Sequence, residues 1–232
     1  MSITVTNPEG RNVEFKDQKG PTCGLYSLSF VLDYLYNIKI PATSDGDKKG
    51  VSLRRKFKRD EKTIIGELYD STPVMADYIR SLESSKIKCQ SAACEVSSIV
   101  GILDAGGLCM VPFCVDAGGN PDTSGIRAHW CVIQKNVDCA SRKLADAYHW
   151  GRKFVFDLNI LRDSNQSIQD VAASWWGKDS TGGNYYSCDS EESTTAVDAW
   201  GGTHQLKPGS VKQIPAALLS QTLAGKMLIF TK

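Results

Sequence analysis

The chain has 232 residues, 41% of them apolar, and a net charge of +1. That length can bury a sizeable core within one domain. The neutral balance argues against a general nucleic-acid binder, and no apolar run approaches the ~20 residues of a membrane span. The opening stretch, Met1 to Phe15, lacks a basic start followed by an apolar run, so no secretory signal is expected.

In chain order, residues 3 to 15 alternate loosely and predict a short strand. Gly20-Pro21 predicts a turn. From Cys23 the period changes: Leu25, Leu28, Leu32 and Leu35 recur at three and four residues, which predicts a helix to about Tyr36, ending before Pro41. Residues 44 to 62 carry eight lysines and arginines and are expected to form a solvated loop. Helices are expected over 73–84 and 96–105. Strands are expected over 107–115, 128–134, 152–158 and 225–231. Residues 174–210, rich in Gly, Ser, Thr, Asp and Glu, are expected to be a long loop. A helical part (about 1–105) followed by a strand-rich part (about 106–232) predicts a single α+β domain.

There are eight cysteines, no CxxC pair and only three histidines, His129, His149 and His204. This usage predicts reduced, mostly buried thiols with no disulfide, no metal site and no cofactor. One thiol stands apart. Cys23 is expected at the first turn of its helix, where the helix dipole and free N–H groups favour the thiolate, the nucleophilic form. Gly24 would leave room for a substrate backbone. Gln18, across the Gly20-Pro21 turn, could join the Cys23 N–H in an oxyanion hole. His129, at the start of "HWCVI", is the expected base, with a structural histidine as the plain alternative. In "FVFDLNI", alternation puts Val155, Asp157 and Asn159 on one strand face. Asp157 is expected to orient the imidazole, with Asn159 as the alternative. Trp130 and the basic Arg54, Arg55 and Lys56 are further candidates for contacting substrate.

The order Gln, Cys, His, Asp resembles papain-like cysteine peptidases, and more closely the actin maturation protease family. That family's "Q-x-G-P-x-C-G-L" start looks like Gln18 to Leu25, and its "A-H-W-x-V" strand looks like Ala128 to Val132. A later "W-D-Y-x-x-V-R-x-S-N-x-x-L" segment is similar to Phe156 through Arg162, Ser164, Asn165 and Ile168. Its closing "A-G-x-x-x-L-L" is similar to Ala224-Gly225 through Ile229. Residues 38–72 and 174–210 depart from that pattern. The resemblance implies a papain-like α+β fold, with a Cys-bearing N-terminal helix packed on an antiparallel sheet that carries His129 and Asp157. It implies a cytoplasmic thiol peptidase that removes an acetylated residue from the N-terminus of actin; a monomer without nucleic-acid or membrane partners is expected. Two other readings are an effector that cleaves, deamidates or transamidates a host protein from a host cytoplasm, and a non-catalytic binding module.

Overall fold

The computed structural model describes residues 2–18, 22–43, 52–63, 66–68, 70–125, 127–137, 139, 142–169 and 222–232. It also traces the backbone of four short strands, β8 (Asn184–Tyr186), β9 (Thr194–Val197), β10 (Thr203–Leu206) and β11 (Val211–Gln213). These pair as β10 with β9 and β11 with β8; otherwise the expected 174–210 loop lies outside the described residues.

The N-terminal stretch is a hairpin rather than one strand. β1 (Ser2–Thr6) and β2 (Asn12–Lys16) pair antiparallel. Asn7 closes the turn, its side chain accepting from the N–H groups of Glu9 and Arg11, the local Asx geometry that favours Asn in turns. Val13 and Phe15 point inward while Asn12, Glu14 and Lys16 point out. Helix α1 (Cys23–Tyr36) follows the leucine stripe as expected, and Asn37 ends it in the left-handed region.

The basic stretch is corrected: part of it is helix α2 (Leu53–Arg59), not loop. Ser52 caps it by accepting from the Arg55 N–H, and Leu53 and Phe57, four residues apart, are both buried. Residues 44–51 lie outside the described residues. Helices α3 (Pro73–Ser81) and α4 (Val96–Asp104) fall where periodicity placed them, with strand β3 (Lys88–Ala93) between them. Then come β4 (Leu108–Cys114), β5 (Ala128–Val137), β6 (Leu144–His149), β7 (Arg152–Asp157), helix α5 (Leu158–Ser167) and β12 (Lys226–Thr231).

Six strands form one antiparallel sheet in the order β3-β12-β4-β5-β6-β7. Each face is covered. On one side, α1, α2, α3 and the hairpin enclose a core with Leu25, Leu28, Phe30, Leu53, Phe57, Ile79, Trp130 and Leu228. On the other, α4 and α5 enclose Ile99, Val111, Phe113, Cys131, Ile133, Leu158 and Met227. Alternation along β5 divides its side chains between the two cores: Ala128, Trp130 and Val132 face α1, and Cys131 and Ile133 face α4 and α5. The architecture is α+β, as expected. The seven described cysteines are free thiols; Cys188 is outside the described residues.

Asn165 fastens α5 to the sheet. Its buried Nδ2 donates to the carbonyls of Pro112 (2.8 Å), Lys226 (3.0 Å) and Leu223 (3.4 Å). Replacing it with Ala leaves these acceptors without that donor inside the protein. Asn165→Ala is therefore expected to cost about 2–3 kcal/mol in urea unfolding. A loss below ~0.5 kcal/mol would show that the carbonyls find other donors.

Candidate active site around Cys23

Cys23 is the first residue of α1, with Thr22 at the cap position. The residue as a whole is half-buried, but its thiol is enclosed, and burial pushes the thiol up to about 11. The backbone groups of Trp130, Gly24 and Cys23 oppose that rise by favouring the thiolate, while the nearby Glu67 carboxylate adds to it.

The Trp130 contact has a geometric cause. Pro112 pairs with Trp130 across β4 and β5. The Pro112 carbonyl accepts from Asn165, as do carbonyls at the start of β12. In an antiparallel ladder a residue's N–H and C=O point the same way. Pro112 therefore faces β12, and Trp130 turns its N–H away from β4, toward the β6 side. There the β5–β6 ladder ends at Val132 paired with Tyr148. The thiol stands in the space past that end, at the Trp130 backbone; the His129 ring faces the other core, beside Phe113 and His149.

The side chain of Trp130 lies over Gly24. A Cβ on Gly24 would come 2.5 Å from Leu68 Cβ and 3.0 Å from Trp130 Cδ1. The indole Nε1 donates to the Leu68 carbonyl at 2.6 Å. The expectations for both residues are corrected here: Gly24 makes room for Leu68 and Trp130, not for a substrate backbone, and Trp130 is 2% exposed. The segment around Leu68 roofs the start of α1. Gly66 in that segment sits against Thr22 and the Arg54 side chain, so Arg54 borders the site. Arg55 is exposed and Lys56 half-buried on the same helix. Gln18 is half-buried at the end of the β2 segment; residues 19–21, with the Gly20-Pro21 turn, lie outside the described residues.

His129 is 2% exposed. Its ring lies among Phe113, His149 and Trp150, at centroid distances of 5.7, 5.1 and 5.4 Å. Its Nε2 is buried without a hydrogen-bond partner. Burial, then the neighbouring His149, hold its pKa well below the ordinary histidine value. His149 is stacked on Phe154 at 4.2 Å. Burial lowers it to about 4; the Gly119 backbone opposes the shift and the Arg152 charge adds to it. Neither ring nitrogen of His149 makes a well-formed hydrogen bond. His149 ends β6, buried beside His129. Its signal in the sequence was the short run "LADAYH". His204 lies in β10, of whose side chains nothing is described. Among the described residues, no three His, Cys, Asp or Glu side chains group as metal ligands would.

Asp157 does not join this group, which corrects the orienting role expected of it. It pairs with Leu144 on β6, and Leu144 pairs with Val137 on β5. Val137 lies eight residues along β5 from His129, about 27 Å of strand at ~3.4 Å per residue. Asp157 instead caps α5, accepting from the Asn159 N–H at 2.9 Å. Asn159 is helical, not on a strand face, and is equally remote.

The family model described as "Actin maturation protease-like, C-terminal domain" matches residues 13–136, which contain Gln18, Cys23 and His129. The protein named "Actin maturation protease" from Drosophila melanogaster is 29% identical over 161 residues, covering 67% of this chain and 55% of the fly protein. The chain thus spans about half the length of that curated relative.

Two outcomes follow from the geometry. Asp157→Ala should cost about 1 kcal/mol through loss of the α5 cap and leave Cys23 reactivity unchanged. A selective loss of reactivity in a fully folded variant would restore its catalytic role. The second concerns acid. His129 and His149 are depressed in the fold, so the unfolded chain binds more protons below about pH 6.5. Their stabilising contribution is full above that pH and is lost as pH falls, for His149 toward about 4. For His149 alone, about 2 kcal/mol should be gone at pH 5 relative to pH 8. Urea unfolding at the two pH values measures this, and His149→Phe should shrink the difference. An unchanged difference in that variant would show that His149 does not titrate as its burial requires.

Proposed function

Since the chain belongs to the actin maturation protease family, we propose that it is a thiol-dependent peptidase, with Cys23 as nucleophile, on a papain-like fold. Its proposed substrate is the N-terminus of actin or a similarly acidic segment, processed in the cytoplasm by a monomer. Among the described residues no helix is long and apolar enough to cross a membrane. The observation that carries the reading is the setting of the Cys23 thiol: a helix start, with backbone from α1 and β5 turned to favour its charged form.

In this reading His129 is the base. Its depressed pKa keeps the imidazole neutral near pH 7, the form that accepts a proton. An unpartnered buried nitrogen is costly and calls for a role. Thiol and imidazole both start neutral, so proton transfer accompanies attack rather than preceding it as a standing ion pair. In this reading the His129 ring turns from the Phe113 side toward Cys23, and the thiol proton passes to it as the sulfur bonds to the scissile carbonyl carbon. The developing oxyanion is held by the Gln18 side-chain amide and the Cys23 N–H. Collapse breaks the C–N bond, the amine leaves with the proton from His129, and water hydrolyses the thioester. Arg54, with Arg55 and Lys56 behind it, supplies positive charge beside the site, which suits an acidic substrate.

Mass spectrometry of actin incubated with the chain tests the reaction. Loss of an N-terminal residue is expected; a one-dalton shift or a cross-link would reveal deamidation or transamidation instead. Cys23→Ala and Cys23→Ser should abolish turnover while the fold persists. Gln18→Ala should lower kcat by roughly 10²–10³ with little change in KM. Substantial turnover by purified Cys23→Ala would overturn the assignment of the nucleophile.

A further inference from the structure

A cleft of about 500 Å³ runs along α1 on the hairpin side of the molecule. Its floor is the face of α1 bearing Tyr26, Ser29, Phe30 and Asp33; one wall is β2, and the other is the segment 39–43. That size falls within the range of ligand sites.

The β2 wall is an unpaired strand edge. In the hairpin, the Asn7 N–H donates to the Arg11 carbonyl, which makes residues 7 and 11 a hydrogen-bonded pair. Counting along the register, Val5 with Val13 and Ile3 with Phe15 are also of that type. Asn12, Glu14 and Lys16 fall at the alternate positions and turn their N–H and C=O groups away from β1. Among the described residues no backbone group of another element pairs with them, and β2 has no strand neighbour other than β1.

The opposite wall is fixed in place. The Ile40 carbonyl accepts from Ser29 Oγ at 2.7 Å. The Pro41 and Ala42 carbonyls accept from the N–H groups of Leu53 and Arg54 at the start of α2. Thr43 Oγ1 is hydrogen-bonded to the Tyr26 hydroxyl at 3.2 Å. With its carbonyls so engaged, this wall does not pair with β2, and the gap persists as a slot with donors and acceptors on one side. On α1 the lining of the slot ends at Tyr26, one helical turn from Cys23. Tyr26 lies three residues after Cys23 and is its neighbour on the helix surface, and β2 continues directly into Asp17 and Gln18.

We propose that the outward edge of β2 is a docking strand for an extended segment of the protein substrate, bound by main-chain hydrogen bonds to residues 12, 14 and 16. The proposal rests on the reading of Cys23 as a peptidase nucleophile and adds the surface that presents the chain to it. Strand addition of this kind draws affinity from the backbone and selectivity from side-chain pockets. The charges lining the slot alternate in sign, Glu14 and Asp33 against Lys16 and Lys39, and Asp33 is already paired with Arg11. Selectivity for one sequence is therefore weak here, and an extended backbone is what the slot recognises.

Glu14→Pro removes the central outward N–H without touching a hairpin hydrogen bond, a position where a strand tolerates proline. Thr4→Pro makes the same change on the far edge of the hairpin and is the control. With actin as substrate, Glu14→Pro should raise KM at least tenfold with kcat retained, while Thr4→Pro behaves as the unsubstituted chain. Alkylation of Cys23 by iodoacetamide should proceed at the same rate in all three. If the unsubstituted chain turns actin over and Glu14→Pro keeps its KM within twofold, the docking strand is wrong and the peptidase reading stands. If nothing is turned over, or Glu14→Pro does not fold, the probe becomes a fluorescein-labelled ten-residue peptide of the actin N-terminus. It is titrated onto Cys23→Ala, alongside versions N-methylated at alternate residues. A tenfold loss on methylation supports the docking strand; equal affinity, or no binding of the parent peptide, overturns it.

Discussion

The β4–β5 pairing at Pro112 and Trp130 sets the terms for the rest of the site. A proline cannot donate to a ladder, so it fits at this point of β4 only because its nitrogen faces the start of β12. There Asn165 gathers the Pro112 and Lys226 carbonyls. Turning Pro112 that way turns Trp130 the other way, and an amide of a central strand is left facing open space past the end of β6. The start of α1 fills that space with Cys23. One donor missing from one strand thereby fixes where a thiol sits two elements away.

Around that point the fold separates two kinds of environment on the two faces of one strand. Trp130 holds the α1 side together through Gly24 and the Leu68 carbonyl. His129, one residue earlier, belongs to an aromatic enclosure with His149, Phe113 and Trp150. Burial raises the Cys23 thiol and lowers the two imidazoles, so none of the three carries charge near neutrality. The enclosure excludes water and stiffens the ring positions. It also makes the unpaired imidazole nitrogens expensive.

What could be read in the sequence was local. The leucine spacing after Cys23 located α1 and its approximate end, because a stripe at three and four residues has one explanation in a chain of this composition. The strands at 107–115 and 128–134 were equally legible as apolar runs between glycines and polar turns. Pairing was not legible. Alternation in "FVFDLNI" placed Asp157 and Asn159 on one strand face, but the strand stops at Asp157 and a helix begins. Leu158 and Leu161, three residues apart after an Asp, were the sign of a capped helix. Which strand ends lie side by side depends on register, which no window of sequence contains. For that reason Asp157 was assigned to His129 although the sheet holds them at opposite ends. His149 was passed over for the same reason, since its partners come from β4, β5 and β7.

β12 stands between β3 and β4 in the sheet, yet more than a hundred residues of chain separate it from β3. During synthesis, α1 and β3 leave the ribosome long before the strand that joins their side of the sheet to β4. Until residues 226–231 arrive, β3 has no partner, and the Pro112 carbonyl shares no clasp with Lys226. Contacts this distant in sequence form late. The helix that carries the thiol is also made before β5, so a nascent chain that has not yet reached Trp130 displays Cys23 without the backbone group that favours its thiolate.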